Sequence, residues 1–345
     1  MNRGTKVAQN DPADDNAVNP ATIMRHVYGV FPSFAMLAAM KLDVFTPLKD
    51  GPMEVKDIAD SLGVEEEKLT PLLYSLVAAD LLEIENNRFS NTAEADKYLV
   101  RGRPDYIGGL SGFYANLWQA ALKTAESIRT GQPQAKLDWA TLPEAELLGY
   151  FRRQFPSSVG AGRELADRLD FSRFQHLLDA GGGTGGVSIS ICAKFPSIRA
   201  TVADLPAVVR LAERFIAEAG MSGRINILAT DLCLSPPEGR YDVAIIRALI
   251  QTLPKEQAQM ALKCIGQAMV PGGKLFIIGC VLANSRLGPA ASLAFSLVFL
   301  NAYDNGRSYT EQEYAEMLES AGFTGITVEP EAFLDGYGFI TAEKK

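Results

Sequence analysis

Ten residues, Leu177-Leu178-Asp179-Ala180-Gly181-Gly182-Gly183-Thr184-Gly185-Gly186, restrict the fold of this 345-residue chain more than any other stretch. An apolar run ends in an acid, five glycines fall within six positions, and a helical pattern begins at Val187. This order predicts a buried strand, a tight turn and a helix start. Glycine lets the backbone adopt positive φ and lets a ligand approach it closely. The unpaired N–H groups of the helix's first turn then face whatever lies above the turn.

Gly181, Gly183 and Gly186 satisfy the spacing of a dinucleotide-binding turn. Two features argue for a different ligand. Asp179 stands two residues before the first glycine, where it suits a cation better than a pyrophosphate, and the turn lies mid-chain after a long helical segment. Asp179, Gly181, Gly183 and Gly185 instead resemble the glycine-rich motif of class I S-adenosylmethionine-dependent methyltransferases. The alternative is a plain glycine-rich turn in an α/β domain.

Hydrophobic residues make up 47% of the chain and charged residues 21%, enough for a sizeable core. The net charge of -8 argues against a nucleic-acid footprint. Cys192, Cys233, Cys264 and Cys280 lack paired spacing and read as buried small hydrophobes in a reducing compartment. The polar start has no apolar centre like that of a signal peptide, and Pro289 to Leu300, the longest apolar run, is too short for a bilayer. A cytoplasmic protein is expected.

Residues 1–19 read as a loose tail. Pro20 to about Leu42 reads as one helix, apolar most of the way round and therefore buried, between subunits if not within one. Val55 to Gly63 and Glu65 to Asp80 follow as two helices. Leu81 to Glu85 and Arg88 to Ser90 flank Asn86-Asn87 as a hairpin. This is a winged-helix order, yet between Gly51 and Val100 eleven acids face four bases, and the second helix opens Glu65-Glu66-Glu67. A groove-reading helix needs the opposite sign, so an interaction role is expected rather than DNA binding.

Residues 106–165 read as helices rich in aromatics, Trp118, Tyr150, Phe151 and Phe155 among them. From Phe174 strands alternate with helices: His176 to Asp179, Ala200 to Asp204, Ile225 to Leu228, Tyr241 to Ile246 and Lys274 to Val281, then strands near Ile326 and Gly338. That alternation predicts a Rossmann-like, doubly wound, mostly parallel sheet with ligands at its carboxyl edge. Asp204 ends the second strand, where an acid can accept both ribose hydroxyls, or else caps the next helix. Asp231-Leu232 follows the third strand and offers a carboxylate and a backbone N–H to an adenine edge. Arg247 follows the fourth. Three acids around one glycine turn suit a ligand carrying a sulfonium and an amino group.

From about Pro20 the chain resembles the plant-type, caffeate-like O-methyltransferases and their bacterial relatives, which include a C-methyltransferase of chlorophyll-type pigments. The resemblance rests on Trp118 with Thr130-Gly131-Gln132-Pro133, Asp179 to Gly185, Asp204-Leu205-Pro206, Asp231, Pro271-Gly272-Gly273, and Tyr309-Thr310 leading into Ala321-Gly322-Phe323. It implies a winged-helix dimerisation domain over 20–105, a helical linker over 106–165 that reaches the substrate pocket, and a cofactor-binding domain over 166–345. It also implies an S-adenosylmethionine cofactor, no metal and a homodimer. Asp179, Gly181, Gly183, Gly185, Asp204, Leu205, Asp231, Leu232 and Arg247 would be the cofactor contacts, with Arg247 in place of a lysine.

The departures bear on mechanism. Where the family carries a histidine base, this chain has Gln251 in Gln251-Thr252-Leu253, and glutamine takes no proton near neutral pH. Gly279-Cys280 and Ser308 stand where supporting acids are expected. Of the two histidines, His176 precedes the first sheet strand and His26 lies on the first helix. Phe295, Phe299 and Tyr303 fall at helical spacing and read by default as core. The resemblance implies instead that this segment faces the acceptor and, with Trp118 and Phe155, lines an apolar slot for a flat small molecule, with Gln251 positioning it and Asp304 a further polar candidate. The expected activity is methyl transfer to an apolar aromatic acceptor without a histidine base, on carbon or on oxygen. The alternatives are a non-methylating reaction of the same fold (decarboxylation, hydroxylation or a pericyclic step) and a non-enzymatic dimeric binding protein.

Overall fold

The structure, a computed structural model, describes residues 18–136, 141–333 and 336–345. Most of the expected tail, 1–17, lies outside the described residues. The chain divides into two units, Met1–Arg103 and Pro104–Lys345.

The first unit holds α1 (Ala21–Tyr28), α2 (Phe31–Leu42), α3 (Val55–Leu62), α4 (Glu66–Ala78), the hairpin β1 (Leu82–Glu85) and β2 (Arg88–Asn91), and α5 (Ala93–Leu99). The single helix expected over 20–42 is two. Pro32 has no N–H to continue a helix and sits in the first turn of α2, where none is required. The expected burial also fails within the chain: α1 buries no residue, and Ile23, Val27, Tyr28, Phe31 and Phe34 are exposed. By length and composition alone the 22-residue stretch Ala21–Leu42 is long and apolar enough to cross a membrane, which Pro289 to Leu300 is not. It carries Arg25 and Lys41 and breaks at its middle. The hairpin turns through Asn86 and Asn87 at φ 49° and 65°, the left-handed pair that matches strand twist.

The second unit begins with α6 (Ser111–Ala121), α7 (Thr124–Thr130) and α8 (Glu144–Arg168). The alternating region follows: β3 (His176–Ala180), α9 (Gly186–Lys194), β4 (Arg199–Asp204), α10 (Pro206–Glu218), β5 (Ile225–Ala229), β6 (Tyr241–Arg247), α11 (Lys255–Ala268), β7 (Met269–Gly279), β8 (Val281–Leu282), α12 (Ala290–Ala302), β9 (Tyr309–Thr310), α13 (Glu311–Ser320), β10 (Phe323–Glu329) and β11 (Gly338–Lys344). Seven strands form one sheet in the order β10-β11-β7-β6-β3-β4-β5. Neighbours from β7 to β5 are parallel, while β10 and β11 close one edge antiparallel. This is the predicted doubly wound sheet.

Alternation along the strands feeds two cores. Leu178, Ala180, Ala244, Ile246, Leu275 and Ile277 pack with residues of α11 and α13, whereas Leu177, Val243, Ile245 and Phe276 pack with residues of α8 and α9. Strand order reverses at β3, so a crevice opens above its carboxyl end. Helices α8 and α9 approach closely there: a Cβ on Gly162 would fall 2.8 Å from the Val187 Cα, and one on Gly186 would fall 2.7 Å from the Ser158 Oγ. Gly186 thus serves helix packing. His176 is exposed at the start of β3, away from the carboxyl edge.

Candidate active site

The carboxyl ends of β3 to β6 open on a cavity of about 740 Å³. Asp179 is fully buried near the end of β3. Its Oδ2 accepts the Ser188 hydroxyl at 2.7 Å and the Ser188 N–H at 3.3 Å, while Oδ1 has no partner among the described residues. Burial pushes this carboxyl up to about 6, against the Ser188 hydrogen bonds. Gly181 and Gly183 turn the chain at φ 68° and 57°, and a Cβ on Gly182 would fall 2.6 Å from the Asp179 Cγ. Only glycine allows the loop to lie this close over the acid.

The turn is tied to the next strand. The Gly181 N–H donates to the Ala203 carbonyl at 2.8 Å, and the Gly183 N–H donates to Asp204 Oδ2 at 2.9 Å. The other Asp204 oxygen accepts the Leu205 N–H at 2.8 Å. Burial also pushes Asp204 up to about 6, opposed by these two backbone donors. Beyond β5, Asp231 Oδ1 accepts the Cys233 N–H at 2.8 Å, and buried Leu232 lines the cavity beside it. One half of the cavity is therefore rich in acceptors.

The other half begins at β6. Arg247 donates to the Ser157 hydroxyl at 2.7 Å and lies over the Tyr337 ring, 5.7 Å from its centroid. Ala248 takes φ 55°, and a short 3-10 turn, Ile250–Thr252, puts Gln251 in the cavity wall. Gln251 is 1% exposed, and neither its Oε1 nor its Nε2 has a partner among the described residues. Space for its amide comes from Gly279, where a Cβ would fall 2.7 Å from the Gln251 Oε1. Aromatic rings complete this half. Phe295 stacks on Phe299 at 5.8 Å and packs on Tyr337 at 5.7 Å, and Phe113, Tyr150, Phe151 and Tyr303 also line the wall.

Four residues named from the sequence are not part of the cavity wall. Trp118 does not line the cavity: at about 100° per residue, Phe113, Asn116, Leu117 and Ala120 share the inner face of α6 and Trp118 falls opposite. Phe155 is also absent from the wall. It packs on Phe215 at 4.8 Å, while Tyr150, Phe151, Gln154 and Ser158 form the cavity face of α8. Gly185 is not among the wall residues, and a Cβ there would meet Val202 at 3.2 Å and Ile216 at 3.4 Å. Asp304 is held by Lys136 at 2.7 Å outside the wall. Phe295, Phe299, Tyr303, Asp179, Gly181, Gly183, Asp204, Leu205, Asp231, Leu232, Arg247 and Gln251 all line the one cavity. His26 is exposed on α1.

Sequence reading missed Tyr150 and Phe151 as wall residues, though the spacing of Tyr150, Gln154 and Ser158 marks one helical face. It missed Tyr337 altogether, because a loop residue carries no periodic signal.

Residues 147–324 match the family profile described as the O-methyltransferase domain, and residues 24–101 match the O-methyltransferase dimerisation domain. The chain is 30% identical to 3-hydroxy-5-methyl-1-naphthoate 3-O-methyltransferase of Streptomyces sahachiroi, over 86% of this chain and 88% of that protein. It is 28% identical to the N,N-dimethyltransferase OxyT of Streptomyces rimosus, over 84% and 86%. In fold it is similar to the crystal structure of human N-acetylserotonin methyltransferase in complex with SAM, with a TM-score of 0.79 at 23% identity, covering 97% of this chain and 99% of that one.

Proposed function

The chain belongs to the plant-type O-methyltransferase family and is an S-adenosylmethionine-dependent methyltransferase; from that premise we propose that it methylates a flat, apolar aromatic small molecule without a protein base, on oxygen or on carbon. The observation that carries the reading is Gln251, buried in the cavity wall with an unpartnered amide. Among the described wall residues there is no histidine.

The acidic half fits the cofactor. The partnerless Asp179 Oδ1 and the Asp204 and Asp231 carboxylates are acceptors, matched to a ligand that presents an amino group, a sulfonium and ribose hydroxyls. Asp179, Gly181, Gly183, Asp204, Leu205, Asp231 and Leu232 would hold it. When bound, the cofactor supplies an electrophilic methyl group on positively charged sulfur.

The chain's own part is alignment and exclusion of water. Phe295, Phe299, Phe151 and Tyr337 give a flat ring apolar faces to lie between, and Gln251 orients one polar substituent. The naphthoate named for the Streptomyces sahachiroi relative is an acceptor of this shape. Homodimerisation through the first unit is part of the same reading, supported by the dimerisation-domain match and the exposed apolar residues of α1 and α2.

Calorimetry with S-adenosylhomocysteine tests the cradle, with binding expected for the wild type and lost in Asp204→Ala. Methyl transfer to a series of phenols of graded acidity tests the absence of a base. The kinetic pKa should follow the acceptor from one phenol to the next. A fixed value near neutrality, indifferent to the phenol, would defeat the reading.

A further inference from the structure

Charge is divided across the sheet edge. Asp179 stands one residue before the end of β3, Asp204 ends β4, and Asp231 lies just beyond β5, three adjacent strands on one side of the switch point. Arg247 ends β6, the neighbour of β3 on the other side, and Gln251 follows within four residues. The guanidinium lies over Tyr337, Tyr337 packs on Phe295, and Phe295 packs on Phe299. Arg247 therefore stands where the acidic half meets the aromatic wall. The Gln251 amide, buried and without a partner among the described residues, offers two donors and one acceptor to the same chamber.

We propose that Arg247 and Gln251 form an oxyanion subsite, and that the acceptor is an aromatic ring bearing an acidic hydroxyl held as its conjugate base. This rests on the reading of the cavity as a methyl-transfer chamber and adds to it the class of acceptor. An opposite charge within a few ångströms lowers the pKa of a bound phenol by about 1–3 units, against the rise that burial causes. Burial pushes the wall phenol Tyr150 up, with the Gln154 hydrogen bond and the charges of Arg247 and Arg153 only opposing the rise, so the subsite requires direct contact of the oxyanion with the guanidinium. The hydroxyl proton leaves to solvent before transfer, so no protein group has to take it. The cofactor, when bound, would supply the electrophilic methyl group and keep the bonding pair on its sulfur; the part of Arg247 and Gln251 is to hold the acceptor oxygen ionised and aimed at it. The Gln251 amide donates to the oxyanion or to a neighbouring carbonyl, a charge-assisted contact in the first case.

The test uses the full chain saturated with S-adenosylhomocysteine and 4-nitrophenol or 4-nitro-1-naphthol as the probe, whose ionised forms are coloured. Absorbance against pH should show the bound probe ionising about 1 unit or more below the free probe. Arg247→Met should abolish the shift and weaken binding of the ionised probe about tenfold or more, the equivalent of one unit. Arg247→Lys should keep most of the shift, and Gln251→Leu should weaken binding yet retain it. Circular dichroism and thermal unfolding check that each variant is folded, and S-adenosylhomocysteine affinity is measured separately. A bound probe that ionises like the free one overturns the subsite and leaves the methyltransferase reading standing. So does an Arg247→Met variant that loses S-adenosylhomocysteine while keeping the phenol shift, since Arg247 would then serve the cofactor. A wild-type chain that fails to bind S-adenosylhomocysteine overturns both.

Discussion

The Ser127 hydroxyl donates to Asn301 Oδ1 at 2.6 Å, and both side chains are buried. The bond joins α7 to α12 across 174 residues of sequence. Asn301 has further partners: its Nδ2 donates to the Thr124 hydroxyl at 2.9 Å and to the Leu297 carbonyl at 2.7 Å, and its main-chain carbonyl accepts the Ala135 N–H at 2.8 Å. The strap from Thr124 to Lys136 is thus pinned to the helix that carries Phe295, Val298, Phe299 and Ala302 into the chamber. Lys123 and Ala135, at the strap's two ends, line the same cavity.

Loosening that strap should change the acceptor end and spare the cofactor end. Asn301→Ala leaves Ser127 and Thr124 without their buried partner, at a cost of about 1–3 kcal/mol. The expected outcome is an acceptor KM raised several-fold with S-adenosylhomocysteine affinity unchanged. Steady-state kinetics with calorimetry check it. A lowered melting temperature with unaltered KM would give Asn301 a structural role only.

The two acids pushed up to about 6 make cofactor binding pH-dependent, with a definite sign. Between 3.8 and about 6 the folded state holds protons that the unfolded state has released, so this contribution to stability is lost as pH rises through 6. A cationic ligand favours the ionised pair and therefore binds more weakly as pH falls below about 6, releasing protons when it binds. Calorimetry of S-adenosylmethionine in buffers of different ionisation enthalpy should detect that release, and S-adenosylhomocysteine, whose sulfur carries no charge, should show less of it. Asp179→Asn should raise the melting temperature of the ligand-free protein near pH 7.5 and weaken ligand binding. Affinity flat from pH 5 to pH 8 would remove these carboxyls from the cradle.

Much of the sheet was legible because its constraints are local. A left-handed backbone at Gly181 and Gly183 needs glycine wherever the chain goes next, and an acid ending an apolar strand, as Asp204 does, stands at the carboxyl edge by topology alone. The chamber wall was less legible because helical rotation decides it. Trp118 and Leu117 are equally apolar neighbours on α6, and only the packed structure tells which one turns inward. Asn301, a polar residue in an apolar helix, carries no signal until Ser127 is brought to it. The break between α1 and α2 was readable from Pro32, but the apolar run around it outweighed that mark.

Close packing of α8 on α9 yields a stability prediction remote from the chamber. Gly162→Ala places a methyl 2.8 Å from the Val187 Cα and 2.9 Å from the Ser190 Cβ, and backbone cannot rotate aside as a side chain can. The helices must part by a few tenths of an ångström, at a cost of about 1–3 kcal/mol. Denaturant unfolding should show that loss. An unchanged midpoint would mean that the two helices tolerate separation.

Gly279→Ala separates space from chemistry at the acceptor end. The added methyl falls 2.7 Å from the Gln251 Oε1, the far end of a side chain that can rotate, so folding should change by less than about 1 kcal/mol. The amide cannot keep its place, however, since Gly306 crowds the main chain behind it: a Cβ there would lie 3.1 Å from the Gln251 carbonyl oxygen. If Gln251 orients the acceptor, displacing its amide raises the acceptor KM or lowers kcat about tenfold while S-adenosylhomocysteine binds as before. Gln251→Leu then adds little to Gly279→Ala, because both changes remove one contact. Additive losses in the double variant would mean that Gly279 acts on the chamber by another route, through the Tyr314 hydroxyl 3.5 Å from the same Cβ position.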